Sequence, residues 1–182
     1  MQSGEQTIHK YLVQRSQKGD RNAQNELYKL YVKAMYNICR RMVVDPEAAK
    51  DVLQDAFIQA FTNIASLQNE AMFSAWLKRI VINHCINYLK KQRVLVSELN
   101  ESVTQMKEDH DEPAYSEEDV KRVLQAIDQI SEGCRVVLSL YLFEGYDHKE
   151  IGQILNISES ASKAQYSKAK AKIRKLLQHE RG

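Results

Sequence analysis

Two prolines and six glycines are all that interrupt these 182 residues. So few chain breakers exclude a loop-rich or strand-rich protein and predict long helices. Cysteine is scarce as well: Cys39, Cys85 and Cys134 are odd in number, far apart and form no CxxC pair. That argues against a disulfide framework and predicts buried free thiols in a reducing compartment. His84 and Cys85 are adjacent, which turns two would-be metal ligands to different sides of a helix. No stretch approaches the ~20 apolar residues that span a bilayer. Gln2, Glu5 and Gln6 precede any apolar run, so no secretory leader is expected. The reading is a cytoplasmic protein with no membrane contact of its own. No nucleophile, acid–base pair or metal cluster comes together, so neither enzymatic activity nor a cofactor is expected.

What is present is helical periodicity. Apolar residues recur at i, i+3 and i+4 through Leu27, Leu30, Tyr31, Ala34, Met35 and Ile38, and again through Leu53, Ala56, Phe57, Ala60, Phe61 and Ile64. A third stripe runs Phe73, Trp76, Leu77, Ile80, His84, Tyr88. "DPE" at 45–47 supplies an N-cap, a proline at the first helical position and an acid in the first turn. Helices are predicted near 6–17, 20–43, 46–63, 72–91, 117–130, 133–144, 148–155 and 159–178. Between them, 94–116 has no period and ends in "KEDHDEPAYS". Its acids and Pro113 cannot bury enough apolar surface to offset ordering, which predicts a flexible linker. The fold expected is all-α: two small helical domains, 1–93 and 117–182, joined by that acidic linker.

Charge is segregated along the chain. Residues 1–93 carry 14 Lys/Arg against 8 Asp/Glu, and 149–182 carry 8 against 3. Residues 94–119 hold nine acids and one lysine. Two basic blocks separated by an acidic strip predict two surfaces for a polyanion. The last block has the layout of a helix-turn-helix. Ile151, Ile154 and Leu155 face inward from a short helix, Asn156-Ile157 makes the turn, and Ser158 caps a second helix with Glu159 at its positive end. Tyr166, Ala169, Ile173 and Leu176 form that helix's seam. Ser160, Ser162, Lys163, Gln165, Ser167, Lys170 and Arg174 are expected to point away from it. Short hydroxyls and an amide suit base edges, and the later lysines suit phosphates. A solvated helix mixes charge signs, yet 160–179 contains no acid.

The helix from Pro46 carries "DVLQDAFIQAF", in which Asp51 and Asp55 repel each other at i, i+4. With Gln54 they form either a solvated acidic face or a protein-docking face. Further on, Arg79, Asn83, Asn87 and Lys91 step by four in a polar row flanked by Lys78, Lys90 and Arg93, placed opposite Trp76, Ile80, His84 and Tyr88. Amides and cations in one row can hold phosphates and unpaired bases together. His84, on the apolar stripe, reads as a satisfied core histidine, and Trp76 as core.

In this order and spacing, "DVLQDAFIQAF", "FSAWLKRIVINHCINYLKKQR" and "LSLYLFEGYDHKEIGQILNISESASKAQYSKAKAKIRKLL" resemble the extracytoplasmic-function (ECF) class of bacterial RNA polymerase sigma factors. The resemblance covers nearly the whole chain. It implies a promoter-specificity subunit whose partners are core RNA polymerase, double-stranded and melted promoter DNA, and an anti-sigma factor. Asp51, Gln54, Asp55 and Phe57 would meet the polymerase clamp helices. The loop 63–71, with Asn63, Ser66, Leu67, Gln68 and Asn69, would capture a flipped base of the minus-ten element. Lys78, Arg79, Asn83, Asn87, Lys90, Lys91 and Arg93 would lie along the opening duplex. At the minus-thirty-five element the candidates are Ser158, Ser160, Ser162, Lys163, Gln165, Ser167, Lys168, Lys170 and Arg174. The sequence departs from the family at Asn87, where many relatives carry Asp, and at Ser160, Ala161 and Ala164, which replace Gly, Thr and Ser. Gly152 replaces a usual Ala and is expected to loosen its helix. Three rival readings are a dimeric helix-turn-helix regulator with a palindromic site, an enzyme with a DNA-binding tail, and a purely protein-binding adaptor.

Overall fold

The structure, a computed structural model, describes the backbone of residues 2–92 and 117–179, and side chains at 9–92 and 118–178. The expected linker 94–116 and Arg93 lie outside the described residues. Eight α-helices occur among them: α1 (Gln2–Gln17), α2 (Arg21–Met42), α3 (Pro46–Asn63), α4 (Phe73–Lys91), α5 (Glu117–Asp128), α6 (Glu132–Leu142), α7 (His148–Leu155) and α8 (Glu159–His179). None of the helices is long and apolar enough to cross a membrane. The chain divides into two compact units, Met1–Tyr88 and Leu89–Gly182.

In the first unit, the breakers sit where the chain must turn. Gly19 adopts φ +85° and closes α1 in a Schellman motif, Gly19 N–H bonding Ser16 O at 3.0 Å and Asp20 N–H bonding Arg15 O at 3.1 Å. Asp20 then caps α2, accepting from Asn22 N at 2.9 Å and Ala23 N at 3.1 Å. Those backbone donors, with Arg15 behind them, hold its carboxyl below the usual carboxylate range. Asp45 caps α3 by accepting from Ala48 N at 2.8 Å, with Pro46 at the first helical position. Leu27, Ile38, Met42, Val52, Ala56, Phe57, Phe73 and Leu77 are buried in this unit. Cys39 and Cys85 are both buried and free. A hydrogen bond with Cys39, together with burial, pushes the Cys85 thiol well up.

Two short 3₁₀ turns, Ile64–Ser66 and Glu70–Met72, join α3 to α4. The buried face of α4 is Phe73, Leu77, Val81, Ile82, Cys85 and Ile86. Trp76, Ile80, His84 and Tyr88 are only half-buried, which corrects the stripe expected from sequence. Residues three apart on a helix are neighbours, about 60° apart. The row 76/80/84/88 therefore lies beside 79/83/87/91 and not opposite it. His84 is no core histidine; its Nε2 pairs with Gln59 Oε1 at the surface.

The second unit packs α8 across α5, α6 and α7. Ile127, Ile130, Cys134, Leu138 and Ala169 form its center, with Val123, Tyr166, Ile173 and Leu176 packed against them. Buried Arg135 donates to Ile130 O at 2.9 Å and satisfies a carbonyl left over after α5 ends. A capping box starts α7: Glu150 N donates to Asp147 Oδ1 and Asp147 N donates to Glu150 Oε2, each at 2.8 Å. Asn156 ends α7 in the left-handed conformation, φ 58° and ψ 49°. Directly beneath, a Cβ on Gly152 would lie 2.8 Å from the Ile157 carbonyl oxygen. Gly152 therefore lets the turn close on the helix, and does more than loosen it.

Asn tolerates the left-handed region better than most residues, at a strain other side chains feel as roughly 1–2 kcal/mol. Asn156→Val is expected to lower the local opening free energy of α7 and α8 by about that amount. Asn156→Gly is expected to leave it unchanged or slightly higher. Amide hydrogen exchange along the two helices measures both.

Candidate nucleic-acid interface

Helix α8 is amphipathic in an unobvious way. Its buried line begins earlier than the apolar residues indicate: Ser162 and Gln165 are 0% and 2% exposed. They are one helical turn before Tyr166 and Ala169, so the helix period carries them onto the seam. Ser162 Oγ bonds His148 Nδ1 at 2.9 Å, and Gln165 Oε1 accepts from Cys134 Sγ at 3.1 Å. Both residues were expected at base edges; the structure instead uses them to dock α8 on α7 and α6. Their polarity is satisfied internally, as burial requires.

The exposed start of α8 is left with Ser158, Ser160 and Lys163. Ser158 Oγ accepts from Ala161 N at 3.0 Å and bonds Ser160 Oγ at 2.9 Å. Lys163 Nζ pairs with Glu159 at 2.6 Å, and that lysine holds the Glu159 carboxyl below its usual range. An exposed pair of this kind is weak, so an arriving phosphate can compete for the lysine. Ser167, Lys168 and Lys170 are half-buried, with Lys170 Nζ 4.7 Å from the center of the Tyr166 ring; Arg174 is exposed. His148, absent from the sequence-derived candidates, stacks on Tyr141 with centroids 4.5 Å apart and planes at 13°. Burial first, then the nearby Lys163, lowers its pKa and so favours the neutral ring. No spacing rule would have found it, because its partners are on α6 and α8.

Along α4, Arg79, Asn83, Asn87, Lys90 and Lys91 are exposed, with Lys78 half-buried. Half-buried Trp76, His84 and Tyr88 stand beside this row, so flat rings and amides share one surface. In the α3–α4 connection, Asn63, Ser66, Gln68 and Asn69 are exposed, while Leu67 is buried and anchors the loop from beneath. Ser66 Oγ donates to Asn63 O at 2.7 Å, and Asn69 Oδ1 accepts from Ala71 N at 3.0 Å to start the second turn.

On α3, Asp51, Gln54 and Asp55 are exposed. Phe57 is 3% exposed and packs on Tyr28, centroids 4.8 Å apart, so it supports this face from inside and does not present it. Ile58, missed from sequence, is 58% exposed. It completes the i, i+3, i+4, i+7 set 51/54/55/58, a pattern visible in the sequence had polarity not been the search criterion. An exposed isoleucine thus lies among the acids of this face. No group of three or more His, Cys, Asp or Glu placed to hold a metal occurs among the described residues.

Two helical units, one with a helix-turn-helix whose second helix exposes serines and a lysine, have the layout of a DNA-binding protein. Residues 27–94 match the family described as Sigma-70 region 2, and 121–173 match Sigma-70, region 4. The chain is 28% identical over 176 residues to the ECF RNA polymerase sigma factor SigW of Bacillus subtilis, covering 91% of this chain and 94% of that one. It is 29% identical over 180 residues to the ECF RNA polymerase sigma-E factor of Escherichia coli, covering 93% and 94%. Among solved structures, CnrH in complex with the cytosolic domain of CnrY aligns with TM-score 0.56 at 22% identity, over 94% of this chain and 97% of that one. RpoE with the anti-sigma factor NepR from Bartonella quintana also gives 0.56, at 20% identity, over 85% and 96%. The chain belongs to the ECF sigma factors and acts as a sigma factor in transcription initiation.

Lys163→Ala is expected to leave stability within about 0.5 kcal/mol. It should also make the salt dependence of promoter binding by the polymerase complex shallower by about one unit of slope. Gln165→Ala is expected to do the reverse, costing about 1–3 kcal/mol of stability through the orphaned buried contact and leaving the slope unchanged. Hydrogen exchange of α8 and binding titrations at several salt concentrations separate the two.

Proposed function

We propose that residues 1–93 and 117–182 are the two working domains of this sigma factor, joined through the acidic segment 94–116. The first docks on core RNA polymerase through Asp51, Gln54, Asp55 and Ile58, with Phe57 as internal support. The loop 63–71 receives a base extruded from the minus-ten element through Ser66, Gln68 and Asn69. The α4 row holds the adjoining phosphates and unpaired bases. Unpairing is then offset by capture of the base, the logic of base-flipping proteins. The second domain reads the minus-thirty-five element through Ser158, Ser160 and Lys163, with Lys168, Lys170 and Arg174 on phosphates. Ser162 and Gln165 drop out of that contact set because they are buried. The observation that carries this reading is one chain holding both matched regions, each with an exposed surface suited to its role.

The chain supplies specificity and no bond chemistry, and acts in the cytoplasm. Its acidic segment is placed along the polymerase's nucleic-acid channel, a role supported by its charge and by family likeness. An anti-sigma factor is a further partner in this proposal, since two structurally similar sigma factors were solved in complexes, CnrH with CnrY and RpoE with NepR.

Run-off transcription with purified core polymerase tests the proposal. Initiation from promoters with two separated elements is expected only when chain and core are both present. Asp51→Arg with Asp55→Arg places two cations on the α3 face and is expected to weaken core binding by about tenfold or more, with the helical circular dichroism intact. Unchanged core affinity would remove the docking-face assignment.

A further inference from the structure

Each of the two 3₁₀ turns in the α3–α4 connection is tied to α1 by its own glutamine. Gln17, the last residue of α1, donates from Nε2 to Leu67 O at 2.8 Å and to Ile64 O at 3.2 Å. Gln14, one turn earlier on the same face, donates from Nε2 to Glu70 Oε1 at 3.0 Å. That contact, the strongest of those acting on it, holds the Glu70 carboxyl below its usual range. A 3₁₀ turn of three residues is poorly braced by its own hydrogen bonds, so two in succession have no fixed relative orientation of their own. Here the first is held at its carbonyls and the second at its leading side chain. Leu67 is buried between them, while its neighbors Ser66, Gln68 and Asn69 project outward. Helix α1 is itself fixed to the rest of the unit by His9, whose Nε2 lies 2.7 Å from Tyr31 Oη and whose ring centroid lies 5.8 Å from that of Phe73. It precedes the residues matched as region 2.

We infer that Gln14 and Gln17 are positioning residues for base capture: from α1 they set the spacing of the two turns, and so the shape of the Gln68 and Asn69 segment between them. The inference rests on the assignment of loop 63–71 to the minus-ten element. The chemistry demands donors at Gln17, because both of its partners are carbonyl oxygens. Gln17→Glu is nearly isosteric but offers those carbonyls only acceptors. Gln17→Lys keeps donors.

The test uses holoenzyme assembled from core polymerase and the full chain. The probe is a set of fluorescent single-stranded minus-ten oligonucleotides differing by one base, their sequence taken from the promoters that support run-off initiation. The readout is base discrimination, the ratio of affinities for the best and next-best base. Gln68→Ala serves as the loop control and is expected to change that ratio. Gln17→Glu is expected to reduce it about five- to tenfold, the scale of one part-buried hydrogen bond turned repulsive, with core affinity unchanged. Gln17→Lys is expected to retain it within about twofold. Gln14→Glu should reduce it by bringing two carboxylates together, and Gln14→Glu combined with Glu70→Gln should restore it. If Gln68→Ala alters discrimination but the Gln17 and Gln14 variants do not, the positioning role is wrong and the loop assignment stands. If Gln68→Ala has no effect either, the loop assignment fails and takes the inference with it. A Gln17→Glu chain that loses core affinity and thermal stability in step with discrimination, with no recovery in the Gln14–Glu70 swap, would reduce the glutamines to ordinary packing and overturn the proposal.

Discussion

The turn at Asn156 has to reverse the chain between two helices where the backbone of one comes almost into contact with the other. Gly152 leaves room for the Ile157 carbonyl, Asn156 takes the left-handed conformation, and Ile157 N–H closes on Gly152 O at 2.9 Å. With that turn fixed, Ser162 reaches His148, and Tyr166 and Ala169 reach the core. Only then do Ser158, Ser160 and Lys163 stand on the outside of α8. A helix can present a constant face to DNA only when its other face is held without freedom to roll. Here buried polar pairs add direction that apolar packing alone lacks.

Helix ends were readable because they depend on neighbours in sequence. Asp45 with Pro46, Ser158 before α8 and Asn156 after α7 each act over a few residues. The site was read less well wherever polarity was taken for exposure. Ser162 and Gln165 are polar and buried, while Ile58 is apolar and open. On α4, the ring-bearing row was assigned to the core because it is apolar, although the phase of Leu77, Val81 and Cys85 puts the core one residue further round. Gln14 and Gln17 left no trace at all. Their partners are 47 to 56 positions away, and two of the three are backbone carbonyls, to which any sequence contributes the same atom.

Charge along the chain gives these surfaces their division of labour. Both basic blocks attract DNA without regard to sequence, a contribution that salt screens. On the proposed reading, specificity comes from the few uncharged groups each surface exposes: serines at the start of α8, amides on α4 and in the loop beneath α1. Each set is small, and each surface alone should bind weakly. Two weak sites joined through one chain gain affinity through effective concentration, provided both can be engaged at once. In the function proposed above, core polymerase supplies that geometry by holding the first unit through the acidic α3 face. The chain is thus built to recognise a promoter only as part of a larger machine.

Footprinting of promoter DNA by the chain, with and without core polymerase, tests that claim most directly. The account predicts two separate, non-palindromic patches of protection, present only with polymerase and accompanied by unpaired bases at the downstream patch. A symmetric footprint produced by the chain alone would contradict it.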